Sequence, residues 1–145
     1  RGPEANAAQE AARTGVAVIT TIHSNSCEAT YRRMVSLCKR AVDMTDETLM
    51  AYVTEAYPIV AFCKQLENRE RRLMEIMECE ILEDGSRRYR PLYQYEITKN
   101  YMEEGKFIIE GSHRKVNTIS DSLAKRLTEN GMPGAVLERL RGGIV

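Results

Sequence analysis

The feature that most constrains this chain is an apolar run that ends abruptly at a histidine. Residues 16–22 read Val-Ala-Val-Ile-Thr-Thr-Ile, nearly all β-branched. Such side chains are stiff at χ1 and suit a pleated surface. The run has no clean polar alternation, which is how a strand covered on both faces reads, usually a parallel one in an α/β sheet. It passes directly into His23-Ser24-Asn25-Ser26, and a helical pattern begins at Cys27. Open α/β sheets keep their ligands at the carboxyl ends of parallel strands. A helix N-terminus at that place also attracts anions. His23 therefore has two readings, a phosphate-sensing side chain or a strand-end histidine bonded to backbone, and periodicity alone does not separate them.

The rest of the chain alternates helical and strand patterns. Residues 4–13 are rich in alanine and form a short helix by propensity. Pro3 suits its first turn and Gly15 its end. Its small residues offer little area to bury, so it needs a partner surface. Asn25 or Ser26 caps the next helix, with Glu28 at capping-box distance from Asn25. Tyr31, Met34, Val35, Cys38 and Val42 make its apolar stripe. Thr45 caps a helix over residues 46–56, which Pro58 stops. Residues 59–63 read as a central strand. Residues 71–82 and 87–97 alternate, with a phase slip near Ile76-Met77 that marks a bulge. Asp84-Gly85 gives the turn between them, and Pro91 predicts an edge strand or a break. Together these three strands predict an antiparallel meander. Residues 99–105 read as a polar connection and 106–111 as a short strand. Thr118 is expected to cap a helix ending near Asn130, with a last helix over 135–140 and a loose tail from Gly142.

Bulk properties narrow the function classes. At 145 residues the chain fits one domain of usual size, and 21 basic residues balance 21 acidic ones. Such a balance predicts no nucleic-acid or anionic-membrane surface. No apolar run reaches the ~20 residues of a membrane span, and no signal peptide is expected. Cys27, Cys38, Cys63 and Cys79 are widely spaced without a CxxC pair. That spacing predicts reduced, mostly buried thiols in a cytosolic protein.

Few residues carry obvious chemistry. His23 has no HxH, HxxxH or acidic neighbour to make it a metal ligand, and His113 is remote in sequence. A His23–Cys27 pair could imply a thiol nucleophile, but Cys27 falls inside a first helical turn with no orienting group. No GxxxxGK[ST] and no apolar strand ending in Asp-Glu occurs, so a nucleotide site built only from these residues lacks its phosphate loop and its magnesium ligand. The basic clusters, Arg32-Arg33, 69–72 and 87–90, read as solvated faces. Met74, Met77 and Met102 read as core filler.

An ordered set of short motifs nevertheless resembles a known family. Arg1-Gly2-Pro3-Glu4-Ala5, then Thr14-Gly15, then Thr20-Thr21-Ile22-His23-Ser24-Asn25-Ser26, then Ala29 and Arg32-Arg33, are similar to the second half of the secretion ATPases of type II and type IV secretion, conjugation and pilus assembly. The Flp/Tad pilus-assembly and conjugal-transfer branch is the nearest in appearance. The agreement spans roughly the first thirty-five residues, and Arg90-Pro91-Leu92-Tyr93-Gln94-Tyr95 resembles the family's later strands. Val16 stands where the family usually has His, and Ser24 where it has Ala.

The resemblance implies an α/β fold: the C-terminal part of a RecA-like P-loop ATPase core (1–57), a strand meander completing the sheet (58–98) and a C-terminal helical extension (99–145). It implies that His23 approaches the γ-phosphate of ATP held by an upstream half carrying the Walker motifs. Thr20, Thr21 and Asn25 would support the nucleotide site, Arg1 would anchor the segment after Walker B, and Arg32 and Arg33 would face a neighbouring subunit or a cleft. ATP and Mg²⁺ would belong to the full-length parent, with none bound by residues 1–145 alone. The parent would be a hexamer working with inner-membrane platform proteins at the cytoplasmic face of the membrane. The rival expectation is a non-catalytic adaptor that binds through the meander and C-terminal helices.

Overall fold

The computed structural model describes residues 2–142; Arg1, read above as an anchor, and residues 143–145 of the expected tail lie outside the described residues. Three helices come first: α1 (Gly2–Arg13), α2 (Cys27–Cys38) and α3 (Asp46–Ala56). Four strands follow: β1 (Ile59–Gln65), β2 (Arg71–Ile81), β3 (Arg87–Glu103) and β4 (Lys106–Lys115). Two short helices, α4 (Asp121–Glu129) and α5 (Gly134–Arg141), close the described chain. The strands pair in sequence order, all antiparallel. The protein is thus a mixed α and β fold around an antiparallel meander.

Local chemistry sets most boundaries. Ser26 caps α2 by accepting the Ala29 N–H at 3.1 Å, and Thr45 caps α3 through the Thr48 N–H at 3.2 Å. Gly15 takes φ +94° just past α1, a conformation that favours glycine. The expected cap at Thr118 lies two residues too early: Ser120 accepts the Leu123 N–H at 3.1 Å and starts α4. Ser120 wins because its hydroxyl is also held by Glu78.

The sheet carries helices on both faces. Cys79 packs with Tyr31, Met34, Val35, Leu49 and Val53 of α2 and α3. Its neighbour Glu78 points the other way, as alternation along a strand requires, and meets Ser120 at the start of α4. On that second face Leu92 packs with Ile119, Leu123 and Ala124. The alanine-rich α1 finds its partner surface within the chain: Ala5 packs against the α2–α3 cluster and Gln9 is buried.

The strand expectations need four corrections. Residues 59–63 form not a central strand but the edge strand β1, with Ile59, Ala61 and Cys63 exposed. Pro91 sits in the interior strand β3. The phase slip at Ile76-Met77 is a real register shift, with Ile76 opposite Tyr93 and Met77 opposite Pro91, so Leu92 drops out of the β2 ladder. Its carbonyl accepts Val116 N–H at 2.8 Å from the other side. The bulge tolerates a residue without an N–H. Third, β3 continues through the expected connection to Glu103. Lys99 pairs with Glu110, Tyr101 donates its hydroxyl to Glu110 at 2.7 Å, and the Lys99 ammonium lies 4.6 Å from the Tyr101 ring centroid. The contacts to Glu110 across the strands extend the ribbon, and Glu104-Gly105, both at positive φ, reverse it. Fourth, Met102 is exposed on that ribbon rather than filling a core.

Residues 16–22 belong to no strand and no helix. Among the described residues no strand bonds to them, so the parallel strand expected there has no ladder to join.

Candidate functional site: a cleft between an unpaired segment and a free strand edge

The segment leaving α1 is held at both ends and loose between. Val16 N–H reaches the Ala11 carbonyl at 3.1 Å, and Ser26 begins α2. Residues 17–25 make no backbone–backbone hydrogen bond among the described residues. Ile19 is 99% exposed and Val16 57%, unusual for β-branched residues with no polar relief around them. Ile22 is the exception and packs on the α2–α3 cluster.

Across from this segment runs the outer edge of β1. Between them lies a cleft of ≈ 680 Å³. One wall is residues 18–24 and the other residues 56–63, with Tyr31 and Met34 of α2 also lining it. None of its described lining side chains is Asp, Glu, Lys or Arg. The walls therefore offer apolar side chains and unpaired backbone rather than charge.

The predicted site residues distribute unevenly around this cleft. Thr20, Thr21 and His23 all line it, and all three are exposed. Asn25 is exposed just beyond, where Ser26 rather than Asn25 supplies the helix cap. Arg32 and Arg33 lie on the exposed side of α2; Arg32 donates to Glu28 at 3.2 Å along the same helix. Arg1 lies outside the described residues. The opposite wall, built by Tyr57 and the β1 edge, was not singled out by sequence. Its one signal was the apolar 59–63 run, whose edge position only the pairing order reveals.

Cys27 is buried at the base of this region. Its thiol lies 3.5 Å from the Val60 carbonyl and 3.7 Å from that of Glu75, tying the first turn of α2 to β1 and β2. Burial, with the Glu75 carboxylate next, pushes its pKa up to about 12. Burial pushes Cys79 up to about 11, and it raises the Cys38 thiol and the Tyr31 and Tyr57 hydroxyls as well. A thiol so raised is a poor nucleophile near neutral pH. Cys63 is the exposed free cysteine of the four. A thiol reagent should thus label Cys63 in the folded protein and the other three only on unfolding. Rapid native labelling of Cys27 would overturn this. The raised acids also set a pH dependence. Unfolded thiols lose protons above their ordinary value of 9.0 while the folded Cys27 and Cys79 keep theirs. Stability should therefore hold through neutral pH and fall as pH rises beyond about 9, towards the folded values of about 11 and 12.

The described residues contain no group of three or more His, Cys, Asp or Glu placed to hold a metal ion. With no phosphate loop in the sequence either, these residues do not by themselves fit Mg²⁺ and ATP. No described helix is long and apolar enough to cross a membrane. No protein-family model matches the sequence, and no curated protein matches it.

Proposed function

We propose that this chain supplies the C-terminal wall of a secretion-type ATPase, with His23 as the side chain that approaches a nucleotide phosphate. The observation that carries the reading is the state of residues 16–25. An apolar, β-branched segment ends in an exposed imidazole, just before a capped helix N-terminus, and residues 17–25 make no backbone–backbone hydrogen bond among the described residues. Such a segment is built to be an interior strand. On this reading its missing neighbours, the phosphate loop and the magnesium ligand come from chain outside residues 1–145, completing a RecA-like core. Thr20 and Thr21 border the same cleft as His23; on this reading Arg1 would anchor the segment after Walker B, and Asn25 would support the nucleotide site. Arg32 and Arg33, exposed on α2, face a neighbouring subunit of a hexamer. The parent would work at the inner face of the cell membrane against platform proteins of a secretion, pilus-assembly or conjugation machine.

Three measurements test it. Purified residues 1–145 should neither bind nor turn over ATP, and the coding sequence ahead of Arg1 should contain a GxxxxGK[ST] loop. In that longer protein His23→Ala should slow ATP turnover by roughly 10²-fold, the usual loss of one preorganised donor. Steady ATP hydrolysis by the 145-residue chain, or no such loop upstream, rejects the reading. The adaptor alternative draws support from a different feature. The ribbon of β3 and β4 beyond residue 95 exposes Ile97 and Met102, side chains suited to a protein partner.

A further inference from the structure

The cleft has two walls of the same kind. One is the free edge of β1; the other is the 17–24 segment, whose backbone is unpaired among the described residues. Each has backbone N–H and C=O groups without a backbone partner among the described residues, and an added strand is the usual way to satisfy such groups. The lining carries no Asp, Glu, Lys or Arg, so the occupant has no charge to match and every charged strand is disfavoured. Those requirements describe an extended, uncharged, β-branched strand. Residues 16–22 of this chain have that composition, and within one copy they belong to no strand.

We propose that two copies of the 145-residue chain exchange residues 16–22, each copy's segment entering the cleft of the other. The topology closes without leftovers. With a two-fold axis normal to the sheet, the order across the junction becomes β1, the partner's segment, the first copy's segment, and the partner's β1. The two segments lie antiparallel on either side of the axis. Each then has a hydrogen-bonded neighbour on both edges, and both exposed β1 edges disappear into one continuous sheet. The contact is isologous and self-limiting, which distinguishes it from open edge-to-edge aggregation. It also takes Ile19 from 99% exposure to an interior position in a strand. This inference does not rest on the ATPase reading, since it uses only the two unpaired edges and the neutrality of the cleft.

Light scattering after size-exclusion chromatography tests it first. The chain should elute as a species of twice its 16.5 kDa mass. Hydrogen exchange should then show amides of residues 17–23 and 59–65 gaining protection as concentration rises through the dimerisation range. Ile19→Pro removes an N–H that makes no backbone bond within one copy. It should weaken the dimer by roughly 10²-fold, with the helical far-UV circular dichroism signal retained. A monomer at high micromolar concentration overturns the proposal. So does a dimer whose 17–23 amides exchange freely, which remains decisive if the proline variant misfolds. Neither failure bears on whether His23 serves a nucleotide.

Discussion

Replacing Tyr31 by alanine is expected to cost about 4 kcal/mol, the range for deleting a buried aromatic side chain. For a chain of this size that lowers the melting temperature by roughly 12 °C. The ring is 1% exposed and lies between Cys27 and Val35 on the buried stripe of α2. It stacks on Tyr89 of β3 with centroids 5.9 Å apart, so it joins the helix layer to the third strand. Its hydroxyl donates to the Tyr57 carbonyl at 2.7 Å, where α3 has ended and β1 has not begun. That acceptor belongs to a helix C-terminus, where carbonyls lack intrahelical partners. Tyr31→Phe separates the two contributions. It keeps the ring, drops the hydrogen bond, and should cost only about 1–2 kcal/mol. Urea unfolding of both variants at one fixed protein concentration decides the matter. Equal losses for the two would mean that the ring's packing counts for little.

Glu78→Ala should remove about 3 kcal/mol and release the C-terminal helices. Glu78 is 1% exposed in the middle of β2. One carboxylate oxygen accepts the Ser120 N–H at 2.9 Å and the other accepts the Ser120 hydroxyl. Ser120 in turn accepts the Leu123 N–H and so starts α4. A carboxylate at a helix N-terminus is favoured by the orphan N–H groups and the dipole. Alanine leaves the N–H of the 3%-exposed Ser120 without its acceptor, at about 1–3 kcal/mol, and leaves its hydroxyl proton only the Ser122 hydroxyl, 2.9 Å away. The packing of Ile119 and Leu123 on Leu92 then loses its polar tether. Limited proteolysis should cut the variant first within residues 116–120 and leave the α1–α3 layer intact. A variant that melts within a degree of the parent and resists cleavage there would show the tether to be dispensable.

The legible parts of this fold are those fixed by short-range chemistry. Thr45, Pro58 and the Asp84-Gly85 turn each act within one turn of chain, and each lies where its residue type predicts. The slip at Ile76-Met77 was also visible, because a register shift disturbs alternation locally. Less legible were features decided by distant partners. Ser120 outcompetes Thr118 as a cap only because Glu78, 42 positions earlier, holds its hydroxyl. Residues 99–103 look like a polar linker until Glu110 and Lys106 pair with them. Whether 59–63 is central or peripheral depends on what bonds to its outer side, which the run itself does not encode. The candidate site divides the same way. His23 was found from its place between an apolar run and a helix start, whereas the facing β1 wall needed the strand order.

Past Tyr95, the third strand parts company with β2, whose pairing with it ends at Glu75 and Gln94. From there to the Glu104-Gly105 reversal, β3 pairs only with β4, but Phe107 and Ile108 share a cleft with the turn at residues 67–70, and Ile109 is buried. A ribbon of two strands is marginal by itself and bends more readily than a wider sheet. Unzipping the ribbon would therefore uncover Ile109 and open its seam with the β1–β2 turn, so the tip lies beside the body rather than standing clear of it.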